Sequence, residues 1–243
     1  MILTIDIGNT KIKYGVFEKN NLVFNDSFDD YDSFIKNINK LKKHNLKNVA
    51  ISSVVPNYTN LCINVIKKNL NLNSFTVNNK NCNIVLDVDK PSSVGADRLC
   101  NMTAAYKLYK IPSIIIDFGT ANTYDVINKK NVFIGGVISP GIETSAQYLI
   151  NKAALLKKTE LQFPKKVIGK NTTTNIQSGI MHGAVDQISG MIKRIKKETK
   201  IDDYSIILTG GFGNKISPKL EIPHILDEHL TLKGLLFIYN ANS

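Results

Sequence analysis

Ile5-Asp6-Ile7-Gly8-Asn9-Thr10 decides the fold, because the chain returns to this pattern as Ile116-Asp117-Phe118-Gly119-Thr120, 111 positions later. At the same offset, the turn Lys19-Asn20 falls on Lys130-Asn131. Each copy lies between an apolar segment and an alternating one, and each is followed by a turn and a further apolar segment. This agreement over strands, loop and turn indicates an internal duplication rather than a chance repeat of a short motif.

Apolar spacing predicts the order βββαβα in both copies. For the first copy it predicts strands at 2–5, 11–17, 22–24 and 49–52 and helices at 31–41 and 58–70. For the second copy it predicts strands at 113–116, 123–127, 132–138 and 205–208 and helices at 141–152, 175–199 and 232–239. A helix over 95–108 joins the copies. We therefore expect two α/β domains, residues 1–110 and 111–243, related by a pseudo-twofold axis with a cleft between them.

The first repeated loop has the residue types of a phosphate site. Gly8 lets the backbone approach an anion, and the Asn9 amide and the Thr10 hydroxyl can donate to phosphate oxygens. The Asp6 carboxylate repels phosphate, so it suits a hydrated Mg²⁺ that bridges the phosphates. The alternative is a hairpin turn whose aspartate bonds its own backbone. The duplication favours phosphate binding.

The second repeated loop keeps part of this arrangement. Asp117 ends the apolar strand Ile114-Ile115-Ile116, where a carboxylate needs a charged partner. Gly119 and Thr120 repeat the phosphate cradle. The turn Gly210-Gly211-Phe212-Gly213 follows another apolar strand, and it either packs against an adenine or ribose or serves the fold alone.

A third candidate site begins the helix over 95–108 with Gly95-Ala96-Asp97-Arg98. Backbone N–H groups at a helix N-terminus bind anions, and Arg98 can hold a carboxylate through two hydrogen bonds. Asp97 can accept the proton of an attacking hydroxyl, as the base of a kinase does. Equally, Asp97 can stabilise the helix dipole while Arg98 lies at the surface, so these residues by themselves leave both interpretations open.

Composition limits the classes of function. The net charge of +11 suggests nucleic acid, but the basic residues are lysines spread along the chain, with Arg98 and Arg194 the only arginines. This pattern favours a solvated surface, which still attracts small anions. The three cysteines and four histidines are widely spaced, which disfavours a zinc site, a disulfide or a Ser-His-Asp triad. No apolar run reaches about 20 residues and the N-terminus has no basic signal segment, so we expect a cytoplasmic protein without a membrane partner.

Together, these motifs resemble those of the type III pantothenate kinase family, in the superfamily of acetate kinase, hexokinase and actin. The resemblance runs nearly end to end and rests on residues 6–11, 95–98 with Asn101, 117–121, 135–141, 169–172 with 177–179, and 230–235. The discriminating element is Gly-Ala-Asp-Arg, twenty residues before Asp-Phe-Gly-Thr. The resemblance implies duplicated ribonuclease-H-like (actin-like) domains. The first half would carry the first phosphate loop and the substrate loop, and the second half the other phosphate loop and an adenosine-side turn.

The resemblance also implies an activity, in which ATP phosphorylates the 4′-hydroxyl of pantothenate as the first step of coenzyme A synthesis. Asp97 is then the general base, and Asp117 binds a monovalent cation, K⁺ or NH₄⁺. Asp6 is expected to hold Mg²⁺ through water. The implied ATP-binding residues are Asp6, Ile7, Gly8, Asn9, Thr10, Lys11, Ile12, Lys13 and Thr120. The implied pantothenate-binding residues are Val88, Gly95, Ala96, Asp97, Arg98 and, in a homodimer, the partner subunit's Thr172.

Two positions depart from the family pattern. The family usually has Tyr-Asp-Asn-Pro before Gly-Ala-Asp-Arg, whereas this chain has Val88-Asp89-Lys90-Pro91. The tyrosine lines the substrate pocket, so its replacement bears on pantothenate affinity more than on the chemistry. Asn122 stands where threonine is common, beside the expected nucleotide site.

Two other functions compete with this one. A related sugar or acetate kinase is disfavoured by the small size of the chain and by its Gly-Ala-Asp-Arg element. A non-catalytic actin-like regulator associated with DNA is compatible with the net charge of +11. The presence of Asp6, Asp97 and Asp117 argues against an inactive site.

Overall fold

The computed structural model describes residues 1–153 and 158–243. The chain forms two compact units. The first consists of Met1–Tyr109, Asn131–Phe133 and His229–Ser243, and the second of Lys110–Lys130 and Ile134–Glu228. The C-terminal helix therefore belongs to the first unit by its contacts. The predicted halves 1–110 and 111–243, with their separate functional roles, stay predictions, as does the cleft.

The elements follow the predicted order closely. The strands are β1 (Ile2–Ile7), β2 (Ile12–Glu18), β3 (Asn21–Phe28), β4 (Asn48–Ser53), β5 (Ser74–Thr76), β6 (Val85–Leu86), β7 (Ser113–Phe118), β8 (Ala121–Ile127), β9 (Val132–Pro140), β10 (Ser205–Gly210) and β11 (Ile225–Leu226). The helices are α1 (Tyr31–Asn37), α2 (Pro56–Leu70), α3 (Ala96–Leu108), α4 (Ile142–Lys152), α5 (Thr172–Thr199), α6 (Gly213–Ile216) and α7 (Leu230–Asn242). The predicted helix over 31–41 is α-helical only to Asn37 and continues as a 3₁₀ helix over Ile38–His44, the tighter form that often ends a helix.

The sheet of the first unit has the order β3-β2-β1-β4-β5, with β1 in the centre. β1 pairs antiparallel with β2 and parallel with β4. On one face, Ile5 and Ile7 of β1 share a buried cluster with Phe34 of α1 and Ile66 of α2. Because successive side chains of a strand point to opposite faces, Asp6 lies on the other face. On that face α7 packs against β1, and α3 packs against β4.

The sheet of the second unit repeats this arrangement in the order β11-β10-β7-β8-β9. Its central strand β7 pairs antiparallel with β8 and parallel with β10, as β1 does with β2 and β4. Ile114 and Ile116 of β7 share a buried cluster with Ile188 of α5 and Leu208 of β10. The short β6 pairs with Val132 and Phe133 at the start of β9, two residues that belong to the first unit. The predicted α/β duplication is therefore confirmed.

Candidate active site

Asp6 lies near the end of β1, where two neighbouring strands hold it from either side. Its Cα partners across the sheet are Lys13 on β2 and Ser52 on β4. The Ser52 hydroxyl donates a hydrogen bond of 2.9 Å to Asp6 Oδ1. Ser52 is fully buried and Asp6 is half-buried, so the carboxylate lies at the boundary between core and solvent. Sequence patterns predicted β4 but did not indicate that a hydroxyl on it would bind this aspartate.

Asp97 lies in the first turn of α3, directly after Gly95 and Ala96. Its Oδ1 atom accepts a hydrogen bond of 2.7 Å from the Arg98 backbone N–H. A Cβ atom on Gly95 would lie 2.5 Å from the same oxygen, so glycine is what lets the carboxylate fold back over the N-terminus of the helix. The Arg98 guanidinium lies 5.4 Å from the centre of the Phe133 ring, a cation–π distance that orients it.

The charges of Asp6 and Asp97 both act on one thiol, that of Cys100 on α3. Burial raises the pKa of this thiol well above its usual range, and the negative charges of Asp6 and Asp97 raise it further. Such charge effects require both carboxylates to lie near the sulfur. The thiol itself is unreactive, because a buried cysteine that stays protonated is a poor nucleophile. Cys62, Cys82 and Cys100 are free and buried.

Helix α7 packs against α3. Thr231 donates a hydrogen bond of 2.8 Å to Asn101 Oδ1 on α3. At Gly234 the two backbones touch, and a Cβ atom there would overlap the Cys100 carbonyl oxygen. The C-terminal segment that resembles the family therefore fixes the helix that presents Asp97, although it is far from Asp97 in sequence.

The first phosphate loop, residues 8–11, joins β1 to β2 and is closed by a hydrogen bond of 3.0 Å from Gly8 N–H to the Lys11 carbonyl. Asn9, Thr10 and Lys11 are exposed, whereas Ile7 and Ile12 at its ends are buried in the core. Lys13 is half-buried. Lys11 forms an ion pair of 3.4 Å with Asp29, and both side chains are largely exposed. Such a pair is worth little, so it leaves Lys11 available to a stronger anion.

Counted between paired residues, the second loop is one residue shorter than the first, with residues 119–121 between Phe118 and Asn122. Phe118 of β7 pairs with Asn122 of β8, whereas Ile7 of β1 pairs with Ile12 of β2. The sequence offset between β1 and β7 is therefore one residue larger than the offset between β2 and β8. The offset of 111 expected from the sequence holds for β1 and β7 but not for β2 and β8. It follows that Thr120 is the counterpart of Thr10, since each lies two residues before the first residue that pairs across its hairpin, Ile12 or Asn122.

Thr120 is exposed, and the start of α4 fixes its loop. The Thr120 carbonyl accepts hydrogen bonds from Gly141 N–H at 3.0 Å and from the Thr144 hydroxyl at 2.7 Å. A Cβ atom on Gly141 would overlap the Gly119 carbonyl oxygen, so this close approach needs glycine. The backbone is therefore held while the Thr120 side chain faces outward.

Asp117 is the last residue but one of β7 and lies beside the glycine-rich turn over 210–213. Gly210 has a φ of +89°, and a Cβ atom there would overlap the Asp117 carboxylate and lie 2.5 Å from Phe118 N. Gly211 N–H donates a hydrogen bond of 2.9 Å to the Phe118 carbonyl. The turn thus has a structural reason for its glycines, which is to let its backbone approach the end of β7. An additional role beside adenine or ribose stays a prediction.

The remaining predicted residues lie in two further segments. Val88 is half-buried between β6 and the 3₁₀ turn Pro91–Ser93. Thr172 is exposed as the first residue of α5, where Asn171 and Thr174 form a capping box. Asn122 is buried at the start of β8, two residues after Thr120. In the part of the chain that the structure describes, no group of three or more His, Cys, Asp or Glu side chains could hold a metal by itself.

Similarity to known proteins extends over the whole chain. The family model described as "Type III pantothenate kinase" matches residues 2–194. The chain belongs to the type III pantothenate kinase family. A type III pantothenate kinase of Sulfurihydrogenibium sp. is 37% identical over 98% of this chain and 99% of its own length. Another, from Halalkalibacterium halodurans, is 36% identical over 100% of both chains. The predicted family is confirmed.

Solved structures support the fold of this type III pantothenate kinase family member. A Campylobacter jejuni protein described as a putative Baf family transcriptional activator superposes with a TM-score of 0.65. It covers 99% of this chain and 98% of its own, at 19% identity. At that identity the likeness concerns the fold alone. A helix long and apolar enough to cross a bilayer does not occur in the described residues.

Proposed function

We propose that this chain transfers the γ-phosphoryl group of ATP to the 4′-hydroxyl of pantothenate, which begins coenzyme A synthesis. The observation that carries the proposal is end-to-end similarity to type III pantothenate kinases in a chain whose Asp6 and Asp97 lie around one thiol. Such transfer needs positioning and neutralisation of charge more than covalent chemistry. The reaction therefore needs a loop that binds the nucleotide and a carboxylate that accepts the hydroxyl proton. It also needs a positively charged side chain that holds the carboxylate of pantothenate.

The first loop is proposed to bind ATP. Backbone N–H groups of residues 8–11 and the side chains of Asn9, Thr10, Lys11 and Lys13 are suited to phosphate oxygens, while Ile7 and Ile12 anchor the loop in the core. Asp6 fits Mg²⁺ held through water, because Mg²⁺ keeps several waters and commonly uses one or two carboxylates with substrate phosphates. When bound, Mg²⁺ would neutralise charge on the transferred phosphoryl group.

Asp97 is proposed to be the general base. Its carboxylate is oriented by the Arg98 N–H, at 2.7 Å, and can take the proton of the 4′-hydroxyl as that oxygen attacks phosphorus. The Arg98 guanidinium, oriented by Phe133, suits the carboxylate of pantothenate. Gly95 and Ala96 would contribute backbone to the same substrate. Val88 would line the pocket without the aromatic contact of the family.

The second unit is proposed to contribute Thr120 to phosphate binding and Asp117 to a monovalent cation, K⁺ or NH₄⁺. The exposed Thr120 hydroxyl lies on a loop whose backbone is already held, so ordering it costs little further entropy. Asp117 offers an anionic oxygen, and the Phe118 carbonyl oxygen lies close to the same Gly210 backbone as that carboxylate. Oxygen donors of this kind suit an alkali cation, which the loaded enzyme would use to offset phosphate charge.

A homodimer is proposed as the working form in the cytoplasm. Four large apolar side chains of the second unit are between 63% and 77% exposed: Ile138, Tyr148, Val167 and Ile168. Exposed apolar side chains in such number suit a protein–protein contact. The exposed Thr172, four residues after Ile168 in the chain, would then meet the pantothenate of the partner subunit. Nucleic acid is not proposed as a partner.

An assay of ADP release with pantothenate, with and without K⁺, tests this function. We expect turnover that depends on pantothenate and increases with K⁺ or NH₄⁺, and a product heavier than pantothenate by one phosphoryl group. Asp97→Asn should retain ATP binding but lose about 10²–10⁴-fold in kcat, as for a missing general base. Near-normal turnover in this variant would remove Asp97 from that role. If no ADP is released with any of the cations and the protein shifts DNA in gels in a salt-dependent manner, the alternative function of a non-catalytic, DNA-associated regulator would be supported instead.

A further inference from the structure

Ser52 is a buried hydroxyl that the proposed mechanism does not yet use. It lies on β4 in register with Asp6 on β1, and it has no exposed surface. Its Oγ donates a hydrogen bond to Asp6 Oδ1 at 2.9 Å. Ser52 therefore connects β4, the strand on which α3 packs, to the carboxylate of Asp6 on β1.

A buried serine without a partner would weaken the fold, so a purely structural explanation is that Asp6 satisfies Ser52. The direction of the hydrogen bond indicates more than this. A hydroxyl that donates to a carboxylate forms a charge-assisted bond, which is stronger and more directional than a neutral one. It restricts the rotation of the carboxylate that Asp6 carries on the central strand β1. The geometry of the acceptor oxygens presented to a cation thus depends on Ser52.

We propose that Ser52 is a positioning residue that holds the Asp6 carboxylate in the orientation needed for the hydrated Mg²⁺ of bound ATP. The proposal rests on the proposed function, since it assigns Asp6 to Mg²⁺. Ser52 itself touches neither nucleotide nor metal. Its effect should consequently appear only when Mg²⁺ accompanies the nucleotide, which separates it from a residue that merely stabilises the sheet.

The adjacent Ser53 provides a matched control on the same strand. Its hydroxyl accepts a hydrogen bond of 2.7 Å from Thr59 and one of 3.2 Å from Val55 N–H, and these contacts serve the start of α2. Ser53→Ala thus removes a hydroxyl one residue from Ser52 on the opposite face of β4, without touching Asp6. Ser52→Cys keeps nearly the volume of serine but replaces a good donor by a weak one.

The experiment measures the affinity of a non-hydrolysable ATP analogue by titration calorimetry, once with Mg²⁺ and once with EDTA. We expect Ser52→Ala and Ser52→Cys to weaken binding about tenfold or more with Mg²⁺, the scale of a lost hydrogen bond to a charged group. Binding in EDTA should stay within about twofold of the wild type, because the phosphate loop itself is intact. Ser53→Ala should bind as the wild type does in both conditions, and Ser52→Thr, which keeps the hydroxyl, should recover most of the Mg²⁺-dependent affinity.

Two results would overturn the positioning role while leaving the kinase function standing. One is wild-type affinity of Ser52→Cys with Mg²⁺, and the other is an equal loss with Mg²⁺ and with EDTA. Ser52→Cys keeps the test decisive if Ser52→Ala folds poorly, since it leaves little cavity. A wild-type protein that binds the analogue equally well with Mg²⁺ and EDTA, and releases no ADP with pantothenate, would instead overturn the proposed function.

Discussion

Replacing Gly234 by alanine tests how closely α7 packs on the helix that presents Asp97. A Cβ atom at this position would overlap the Cys100 carbonyl oxygen and lie only 2.5 Å from the carbonyl carbon. Carbon atoms in good contact are about 3.5–4.0 Å apart, so α7 must move about 1 Å away from α3. The obstacle is helix backbone, which cannot rotate away as a side chain does.

Two opposing effects decide the magnitude. Overpacking a well-packed site costs about 1–3 kcal/mol, and a backbone obstacle belongs at the upper end. Alanine gains about 1 kcal/mol over glycine inside a helix. We therefore expect Gly234→Ala to lower the free energy of unfolding by about 2 kcal/mol. In a chain of this size, that corresponds to a melting temperature lower by about 4–8 °C.

Gly190→Ala is the matched control. Gly190 lies in α5, is exposed, and a Cβ atom there would meet no heavy atom of the described residues within 4 Å. Only the helix propensity remains, so this variant should be more stable by up to about 1 kcal/mol. Thermal and urea unfolding followed by circular dichroism measure both variants. If Gly234→Ala is stabilised as Gly190→Ala is, the close packing of α7 on α3 is refuted.

Two further predictions concern the substrate and the core. Val88→Tyr restores an aromatic contact that the family pattern leads us to expect. This variant should lower the KM for pantothenate about 2–10-fold with little change in kcat. An unchanged KM would contradict a place for Val88 in the pocket. Burial raises the pKa of the Tyr124 hydroxyl from 10.0 to about 12. Between these two pH values Tyr124 is ionised in the unfolded chain but not in the folded protein. The free energy of unfolding therefore falls as the pH rises through this range, by up to about 1.4 kcal/mol per pH unit. Tyr124→Phe should lack this loss and, because the hydroxyl has no hydrogen-bond partner among the described residues, match or exceed the wild type at pH 7. Urea unfolding at pH 7 and at a pH of about 10.5 compares the two, and an identical pH dependence would exclude Tyr124 as its source.

The duplication was predictable because its signals are local. Each Asp-x-Gly loop follows an apolar strand and precedes an alternating one, and these periods appear within a few residues. The family was also predictable, since Gly95-Ala96-Asp97-Arg98 and the loops around Asp6 and Asp117 are contiguous in the chain. The roles of those residues stay predictions until the variants are measured.

Other features depend on pairing between distant segments and left no pattern in the sequence. β6 and β11 have two residues each, which is too short for a period to be recognised. The two repeated loops differ in length by one residue, and this difference follows from how their flanking strands pair. A uniform sequence offset of 111 positions does not reveal it. The 3₁₀ ending of the first helix is likewise a matter of hydrogen bonding rather than of apolar spacing.

The sequence by itself determined the two repeated Asp-x-Gly loops, the helix that begins at Ala96, and the family, because each depends on adjacent residues whose chemistry and spacing are sufficient. Only the tertiary structure decided that Asp6 and Asp97 lie around Cys100, that Ser52 donates to Asp6, and that α7 supports α3 through Gly234. These contacts join residues that are far apart in the chain, and they exist because strand register and helix packing bring them to one face of the same sheet.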